Sequence, residues 1–249
     1  MDTQILNQLI EQLYTSEEGG LYRTFWGKRP EDFSTLPLLT PDILASTSLY
    51  DRTYSRDQGL VRSVATRGSE FLVKRSFVDI AHEHLPVPSG SRALVLTTNP
   101  DDALEYALWC YEHGSIPYYG DVGNVEVAVF CAEHFRTNVL ITDNVTIASL
   151  ITDARIPSMI ELVVIIDRVH SSDQTPLLAT ERVLYLPETG CLGRIESTTD
   201  GLVLLEDGRV FAEVLDDTLV VTKANATTPL IRYKTEIAAR VERDTIYLV

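Results

Sequence analysis

The opening part of the chain combines short helical patterns with one pair of alternating runs. Apolar residues recur at helical spacing between residues 4 and 14, which predicts an amphipathic first helix. Thr40 followed by Pro41 is typical of a helix start. Residues 60–64 and 71–75 alternate between apolar and polar side chains, so they predict two strands joined by a turn.

From residue 92 onward, apolar runs typical of buried strands alternate with helical patterns. The predicted strands are 93–97, 116–119, 138–142 and 162–166, and the predicted helices are a segment between Asn99 and Gly114, 125–135 and 145–152. The first of these helices is expected to direct inward Ala103, Leu104, Ala107, Leu108 and Tyr111. Strands separated by helices indicate a parallel sheet with right-handed crossovers.

Beyond a polar segment at 168–180, predicted as a loop, the chain alternates almost throughout and is typical of antiparallel strands. These strands are predicted at 183–186, 202–205, 210–214, 219–221, 230–233, 238–241 and 246–249, with hairpin turns at 206–208 and 216–217. The expected fold class is therefore α/β, a mainly parallel sheet with flanking helices plus a C-terminal antiparallel β region.

Three segments follow from this pattern. Residues 1–59 form an N-terminal helical and aromatic segment, residues 60–181 an α/β core, and residues 182–249 a β-rich region that completes the same domain.

Composition excludes several classes of partner. A net charge of −15 over 249 residues argues against nucleic acid polymers and anionic membranes, since both need a basic surface. No apolar run approaches the ~20 residues of a membrane span. The first residues lack a signal-peptide pattern, and the three cysteines are widely spaced, so we expect a cytoplasmic protein without disulfides.

One stretch, TTPLIRYKTE at 227–236, concentrates residues that could carry chemistry. Regular alternation would place on one face Leu230, Arg232 and Lys234, and on the other Ile231, Tyr233 and Thr235. The cationic side chains of the first face can pair with a carboxylate or a phosphate. An amphipathic strand without a catalytic role is the alternative interpretation of the same pattern.

The stretch resembles the PLIRYRTGD signature of adenylate-forming enzymes, most closely that of the phenylacetate–CoA ligase type. Weaker matches lie at 22–26, at 33–42 and at 200–214, so the resemblance extends from Tyr22 to Asp244 at low identity. It implies the fold of the large N-terminal domain of these enzymes. It also implies binding of ATP or AMP with Mg²⁺ and activation of a small-molecule carboxylic acid, and it leaves the use of CoA open.

The first site implied by the resemblance is the turn at 63–70, SVATRGSE. In the family, a loop of the form T-S-G-T-T-G-K-P wraps the ATP phosphates. The residues that this match assigns to phosphate binding are Thr66, Arg67, Gly68 and Ser69. Ser69 replaces the family's lysine and Ala65 replaces its first glycine, and these changes favour the alternative interpretation, a plain β-hairpin turn.

The second site is the segment 184–190, LYLPETG, which is similar to the family's Y-G-x-T-E-T-G. The resemblance gives Glu188 a catalytic and Mg²⁺-binding role. It also implies that Thr189 and Gly190 bind the nucleotide. Tyr185 occupies the position of the family's glycine, where it is expected to narrow the adenine pocket. An ordinary glutamate in a strand-to-turn connection is the alternative.

The third site is the signature itself. Glu236 stands where the family has an aspartate that holds the ribose, and Arg232 occupies a basic, catalytic position. Gly68, Glu188 and Glu236 are expected to converge at the C-terminal ends of the parallel strands, where open α/β sheets place ligands.

Adenylate-forming enzymes continue into a mobile lid whose lysine stabilises charge at the α-phosphate, and this sequence reaches Val249 near the expected hinge. Three interpretations stay open. The chain binds ATP or AMP and activates an acid weakly, or only with a lid or carrier protein from another chain. It is a non-catalytic binding or interaction module derived from that fold. Or it is an unrelated α/β protein that mimics the signature.

Overall fold

The computed structural model describes residues 3–66, 68–120, 122–144, 148, 159–167, 180–196, 199–205, 208–224 and 227–249. Contacts divide the chain into two compact units. We name the units by their place in the sequence. The outer unit comprises the two ends of the chain, residues 1–79 and 204–249, and the central unit comprises residues 80–203. The segment boundaries expected near residues 59 and 181 stay predictions.

The helices among the described residues are α1 Thr3–Thr15, α2 Leu21–Trp26, α3 Pro41–Ser46, α4 Leu49–Arg52, α5 Phe77–Ala81, α6 Pro100–Glu112 and α7 Val125–His134, with a 3-10 turn at Phe33–Thr35. The strands are β1 Gly59–Thr66, β2 Ser69–Ser76, β3 Arg92–Leu96, β4 Ile116–Tyr119, β5 Val139–Thr142, β6 Leu162–Asp167, β7 Thr180–Leu186, β8 Gly190–Ile195, β9 Gly201–Leu204, β10 Val210–Leu215, β11 Thr218–Lys223, β12 Leu230–Glu242 and β13 Thr245–Leu248.

Side-chain caps explain where three of the helices begin. Thr40 Oγ1 accepts a hydrogen bond from the Ile43 N–H in the first turn of α3. Ser76 Oγ accepts from the Asp79 N–H at 2.9 Å, and Asn99 Oδ1 accepts from the first turn of α6 at 2.9 Å. Each cap satisfies a backbone donor that the helix itself leaves unpaired.

The central unit confirms the predicted parallel sheet. Its strands lie in the order β4-β3-β5-β6-β7-β8-β9, and β4 to β7 run parallel to their neighbours. The middle strands are apolar and buried on both faces, as parallel strands covered by helices require. Strand β8 runs antiparallel to β7 and was not predicted, because glycines interrupt its alternation.

Helix α6 corrects one sequence-based expectation. Leu104 and Tyr111 were expected to face inward, but both are exposed. Ala103 and Ala107 are buried as predicted, and the buried face also includes Tyr106 and Cys110. The spacing of the aliphatic residues alone predicts the buried face only in part, because this helix also buries acidic side chains on its inner face.

The outer unit contains the predicted antiparallel region. Strands β10, β11, β12 and β13 pair in sequence order. Asp216 and Asp217 join β10 to β11 with φ of 50° and 55°, which matches a type I′ hairpin turn. The separate strands predicted at 230–233 and 238–241 are wrong in one respect, because both belong to the single long strand β12.

Some predicted elements lie outside the described residues. These are the helix at 145–152 and the loop at 168–180, apart from residues 148 and 180, and the turn residues 206 and 207. Among the helices of the described residues, none combines the length and apolar character of a membrane-spanning segment.

The N-terminal segment is fastened to the start of β12 by Tyr22. Its side chain is fully buried, its hydroxyl donates to the Pro229 carbonyl at 3.0 Å, and the same hydroxyl accepts from the Ile231 N–H at 2.8 Å. Burial raises the pKa of Tyr22, so the phenol stays neutral. The aromatic opening of the chain therefore satisfies buried backbone groups of the stretch at 227–236.

Leu140→Ala is expected to destabilise the protein by about 2–5 kcal/mol, because Leu140 is fully buried in the parallel sheet and its truncation leaves a cavity. Leu104→Ala is the matched control, and it should cost well under about 1.5 kcal/mol since Leu104 is exposed. Urea unfolding followed by circular dichroism measures both. Equal losses for the two variants would contradict the assignment of the α6 faces.

Tyr22→Phe is expected to lower the free energy of unfolding by about 1–3 kcal/mol, because it leaves the Pro229 carbonyl and the Ile231 N–H buried without their partner. Tyr50→Phe removes a hydroxyl from an exposed ring and should be neutral. Chemical denaturation of the two variants compares them directly, and a neutral Tyr22→Phe would show that the phenol does not hold β12.

Candidate functional site

Strand β12 is irregular within the signature stretch. Lys223 pairs with Leu230 and Val221 with Tyr233, so Ile231 and Arg232 together oppose the single residue between them on β11. Arg232 has a φ of 49°. This is a β-bulge, and residues 230–233 are all buried. The regular alternation predicted from the sequence is therefore wrong here, because the bulge shifts the register.

The bulge directs the Arg232 guanidinium toward residues of its own unit. Its Nε donates to Glu213 Oε1 at 2.7 Å, and its Nη1 donates to the carbonyls of Ser34 and Leu36. The guanidinium also lies 5.9 Å from the centre of the Phe33 ring. Arg232 thus ties the 3-10 turn to β12, and the catalytic role that the sequence assigned to it stays a prediction.

A second irregularity lies around Glu236. Val220 pairs with Lys234 and Thr218 with Ala238, so residues 235–237 oppose Leu219 alone. Thr235 Oγ1 donates to the Leu219 carbonyl at 2.7 Å and accepts from the Ile237 N–H at 3.1 Å. Glu236 is exposed between two buried neighbours. Such a carboxylate can accept hydrogen bonds from two adjacent hydroxyls, and its ribose-binding role stays a prediction.

The segment predicted as a phosphate loop is a tight hairpin. Thr66 pairs with Ser69, which leaves two residues in the turn, and Arg67 lies outside the described residues. Gly68 has a φ of 91°, and apart from its chain neighbours no atom of the described residues lies within 4 Å of where a Cβ would stand. The geometry is that of a plain β-hairpin turn with an open, glycine-dependent tip.

Carboxylates surround this hairpin. Ser69 Oγ donates to Asp42 Oδ1, and Ser63 Oγ donates to Glu70 Oε1 at 2.6 Å. Thr66 Oγ1 donates to the Ser69 carbonyl at 3.4 Å. The hydroxyls that would bind phosphate oxygens are therefore engaged with negative or carbonyl acceptors, and two nearby carboxylates disfavour a polyanion.

In the central unit, Glu188 and Thr189 form the turn between β7 and β8. Both are buried, and the Thr189 N–H donates to the Leu186 carbonyl at 3.0 Å. Gly190 pairs with Leu186 and has a φ of 85°, which favours glycine. The part of the chain that the structure describes holds no cluster of three or more side chains suited to a metal, so Mg²⁺ at Glu188 would need nucleotide oxygens as further ligands.

Tyr185 is part of the interior of the central unit. Its side chain is fully buried, its hydroxyl donates to Glu105 Oε1 at 2.8 Å, and its ring contacts Tyr106 edge-on at 5.1 Å. The role of Tyr185 at an adenine pocket stays a prediction, and it would require the ring to become exposed.

Sequence reasoning missed the acidic residues buried in this unit. Glu83 Oε1 accepts from the Cys191 N–H at 3.1 Å, next to the predicted turn, and the Glu83 carbonyl accepts from Trp109 Nε1. No motif marks Glu83 or Glu105 in the sequence. The only signal available was the presence of acids inside or beside apolar helical patterns.

The predicted site residues are divided between the units. Thr66, Gly68, Ser69, Arg232 and Glu236 belong to the outer unit. Residues 185–190 belong to the central unit. The convergence of Gly68, Glu188 and Glu236 on one cleft stays a prediction. A separate cavity of about 290 Å³ in the outer unit contains none of the predicted site residues in its lining, which consists of Glu18, Gly19, Tyr50, Thr53, Ser55, Arg56 and Lys74.

No protein-family model matches the sequence, and no curated protein matches it. Solved structures do match the fold. The luciferase-like enzyme from the nonluminescent mealworm Zophobas morio is 12% identical with a TM-score of 0.57, over 78% of this chain and 58% of that one. The O-succinylbenzoate–CoA synthetase MenE from Bacillus subtilis, in complex with AMP, is 10% identical with a TM-score of 0.59, over 78% of this chain and 50% of that one.

The NpsA N-terminal subdomain from Klebsiella oxytoca, in complex with 3-hydroxyanthranilyl-AMSN, is 14% identical with a TM-score of 0.56, over 92% of this chain and 67% of that one. The chain thus spans less than two thirds of the length of the mealworm enzyme and of the synthetase. At these identities the similarity concerns the fold. The chain has the α/β fold of the large N-terminal domain of adenylate-forming enzymes.

Proposed function

We propose that this protein is an adenylate-forming-like domain of the phenylacetate–CoA ligase type that binds AMP or ATP through the signature stretch. The observation that carries the proposal is the shape of β12. Two irregularities in one strand turn Arg232 into the protein and leave Glu236 exposed. Bulges that redirect side chains are common beside ligand sites. A regular strand would contain neither of these two irregularities.

The ribose of a nucleotide has a candidate partner in this chain. Glu236 offers an exposed carboxylate for the ribose hydroxyls. In the central unit, the resemblance assigns Mg²⁺ to the buried carboxylate of Glu188, a ligand type that this ion prefers, with phosphate oxygens completing the coordination. When bound, ATP would supply the adenylyl group for activation of a carboxylic acid. The contribution of this chain to that reaction would be to bind and orient the nucleoside.

The triphosphate part fits poorly. The hairpin at 66–69 lacks the family's lysine, and the hydroxyls of Ser63 and Ser69 donate to the carboxylates of Glu70 and Asp42. Bringing phosphate oxygens to this turn would place like charges close together. We derive no phosphate-transfer step from this loop, and we propose that turnover by the isolated chain is slow or absent. We also propose that another chain supplies a lid or carrier protein as a partner. CoA is proposed as the acceptor of the activated acid.

A non-catalytic binding module is the second candidate function. The engagement of Arg232 by Glu213 and by two backbone carbonyls favours it, because a guanidinium with these partners is a structural tie. The two candidates differ in one measurable respect. The first requires nucleotide binding, whereas the second does not.

Calorimetric titration with AMP and Mg²⁺ is expected to show saturable binding, and Glu236→Gln should weaken it by about tenfold, because the amide loses the charge-assisted hydrogen bonds to the ribose. Glu242→Gln is the matched control, since Glu242 is an exposed glutamate at the far end of the same strand. Equal affinities of the two variants would remove Glu236 from the site.

The same preparation is assayed for pyrophosphate release with ATP and a panel of aryl and fatty acids, with and without CoA. Binding without turnover supports the proposal. Neither binding nor turnover supports the non-catalytic module. Sustained turnover at about 1 per second or faster would show that the carboxylates at the hairpin do not impair the phosphate site.

Asp42→Asn combined with Glu70→Gln is expected to raise ATP affinity by about three- to tenfold and to leave AMP affinity nearly unchanged, because two negative charges leave the turn that would face the terminal phosphates. Asp51→Asn is the control, since Asp51 also accepts from a serine, but that serine, Ser48, caps α4 and does not belong to the hairpin. Titration of each variant with both nucleotides measures the effect, and an unchanged ratio of ATP to AMP affinity would argue against phosphates at residues 66–69.

A further inference from the structure

The central unit carries a band of exposed apolar side chains on α7 and β4. Val127, Phe130 and Phe135 expose 50%, 60% and 51% of their surface, and Ile116 on β4 exposes 68%. We call these residues, together with His134, the α7 surface. Single exposed apolar residues are ordinary, but a contiguous group is typical of an interaction site.

The helical geometry makes the α7 surface continuous. Val127, Phe130 and His134 are spaced at i, i+3 and i+7, so they form one stripe along α7. The Phe130 and His134 rings stack at 5.1 Å. Toward β4, the Phe135 ring stacks on Tyr118 at 5.0 Å, and Ile116 lies on the same face of the strand as Tyr118. Stacking holds these rings in place, so little conformational freedom would be lost on binding.

The free edge of β4 is unsuited to pairing with another strand. The N–H groups of Ile116 and Gly120 donate toward β3, to Ser91 and Val95. The intervening positions that face the free edge therefore include Pro117, which has no N–H to donate. A partner would have to contact the side chains of the α7 surface and not the backbone of β4.

Charge restricts the class of partner. Glu126 and Glu133 are exposed and lie one heptad apart along the outer border of the stripe. If two copies of this chain paired through α7 in an antiparallel two-fold arrangement, Glu126 would approach Glu133 of the other copy, and the net charge of −15 adds to the repulsion. Nucleic acids and anionic membranes are repelled for the same reason.

We propose that the α7 surface docks a basic amphipathic helix of another protein. The apolar face of such a helix would cover Val127, Phe130 and Phe135, and its Lys and Arg residues would meet Glu126 and Glu133. The proposal does not depend on nucleotide binding, because none of its residues belongs to the proposed nucleotide site.

The probe is a fluorescein-labelled synthetic peptide of about 18 residues, five helical turns, with leucines on one face and lysines on both flanks. Its counterpart carries glutamates in place of the lysines. Fluorescence anisotropy with the full chain is expected to show binding of the basic peptide at least about tenfold tighter than of the acidic one. Glu126→Gln with Glu133→Gln should reduce both this preference and its dependence on salt.

Phe130→Ser is expected to weaken binding of the basic peptide at least about tenfold, because an aromatic anchor at the centre of the surface is lost. Phe130 is exposed, so the variant should melt like the parent protein, which a thermal scan checks. Tyr50→Ser removes an exposed aromatic ring from the outer unit and should leave peptide binding unchanged.

Four results would overturn the proposal. The first is equal affinity for the two peptides, and the second is an undiminished affinity of Phe130→Ser. The third is the absence of saturable binding up to about 1 mM peptide. The fourth is a different occupant: self-association in sedimentation, or co-sedimentation with phosphatidylcholine vesicles, that Phe130→Ser abolishes.

Discussion

The bulge at Ile231 and Arg232 is the constraint on which the outer unit depends. Two residues of β12 face one residue of β11, so the ladder cannot pair every buried backbone group there. Other parts of the unit supply the missing partners. The Tyr22 hydroxyl pairs with Ile231, the Thr222 hydroxyl accepts from the Arg232 N–H, and Leu39 bonds to the backbone on both sides of Tyr233.

The same need for partners explains why distant segments meet at the signature stretch. The Thr227 carbonyl accepts from the Tyr54 N–H, its own N–H donates to Asp79, and the Thr228 hydroxyl donates to the Lys74 carbonyl. The stretch at 227–236, which a motif comparison would assign to ligand binding, thus also joins three parts of the outer unit. These parts are the N-terminal segment, the hairpin β1–β2 and the C-terminal sheet. Loss of catalysis would not remove the pressure to retain them, because their burial requires these bonds.

The chain shares the α/β fold of adenylate-forming enzymes, and the local features expected from the resemblance agree with theirs to different degrees. The parallel sheet, the turn at 188–190 and an exposed acid at 236 are present. The segment compared with the family's phosphate loop is a hairpin whose serines donate to carboxylates. An α/β scaffold tolerates such changes, since strands and helices carry the stability while turns carry the chemistry. On this combination rests our proposal of nucleoside binding without efficient turnover.

The sequence by itself determined the order and type of most of the strands and of the longer helices, because periodicity, caps and turn residues act within a few positions of the chain. Thr40, Ser76 and Asn99 begin helices, and Asp216 and Asp217 form a turn, for local reasons. The tertiary structure decided what the side chains do. Contacts with residues 10 or more positions away in the sequence decide three such cases. They decide whether Leu104 faces the core, whether Tyr185 is buried against Glu105, and whether Arg232 points toward a ligand or toward Glu213. A register shift of one residue in β12 redirects every side chain after it, and no local pattern in the sequence records that shift.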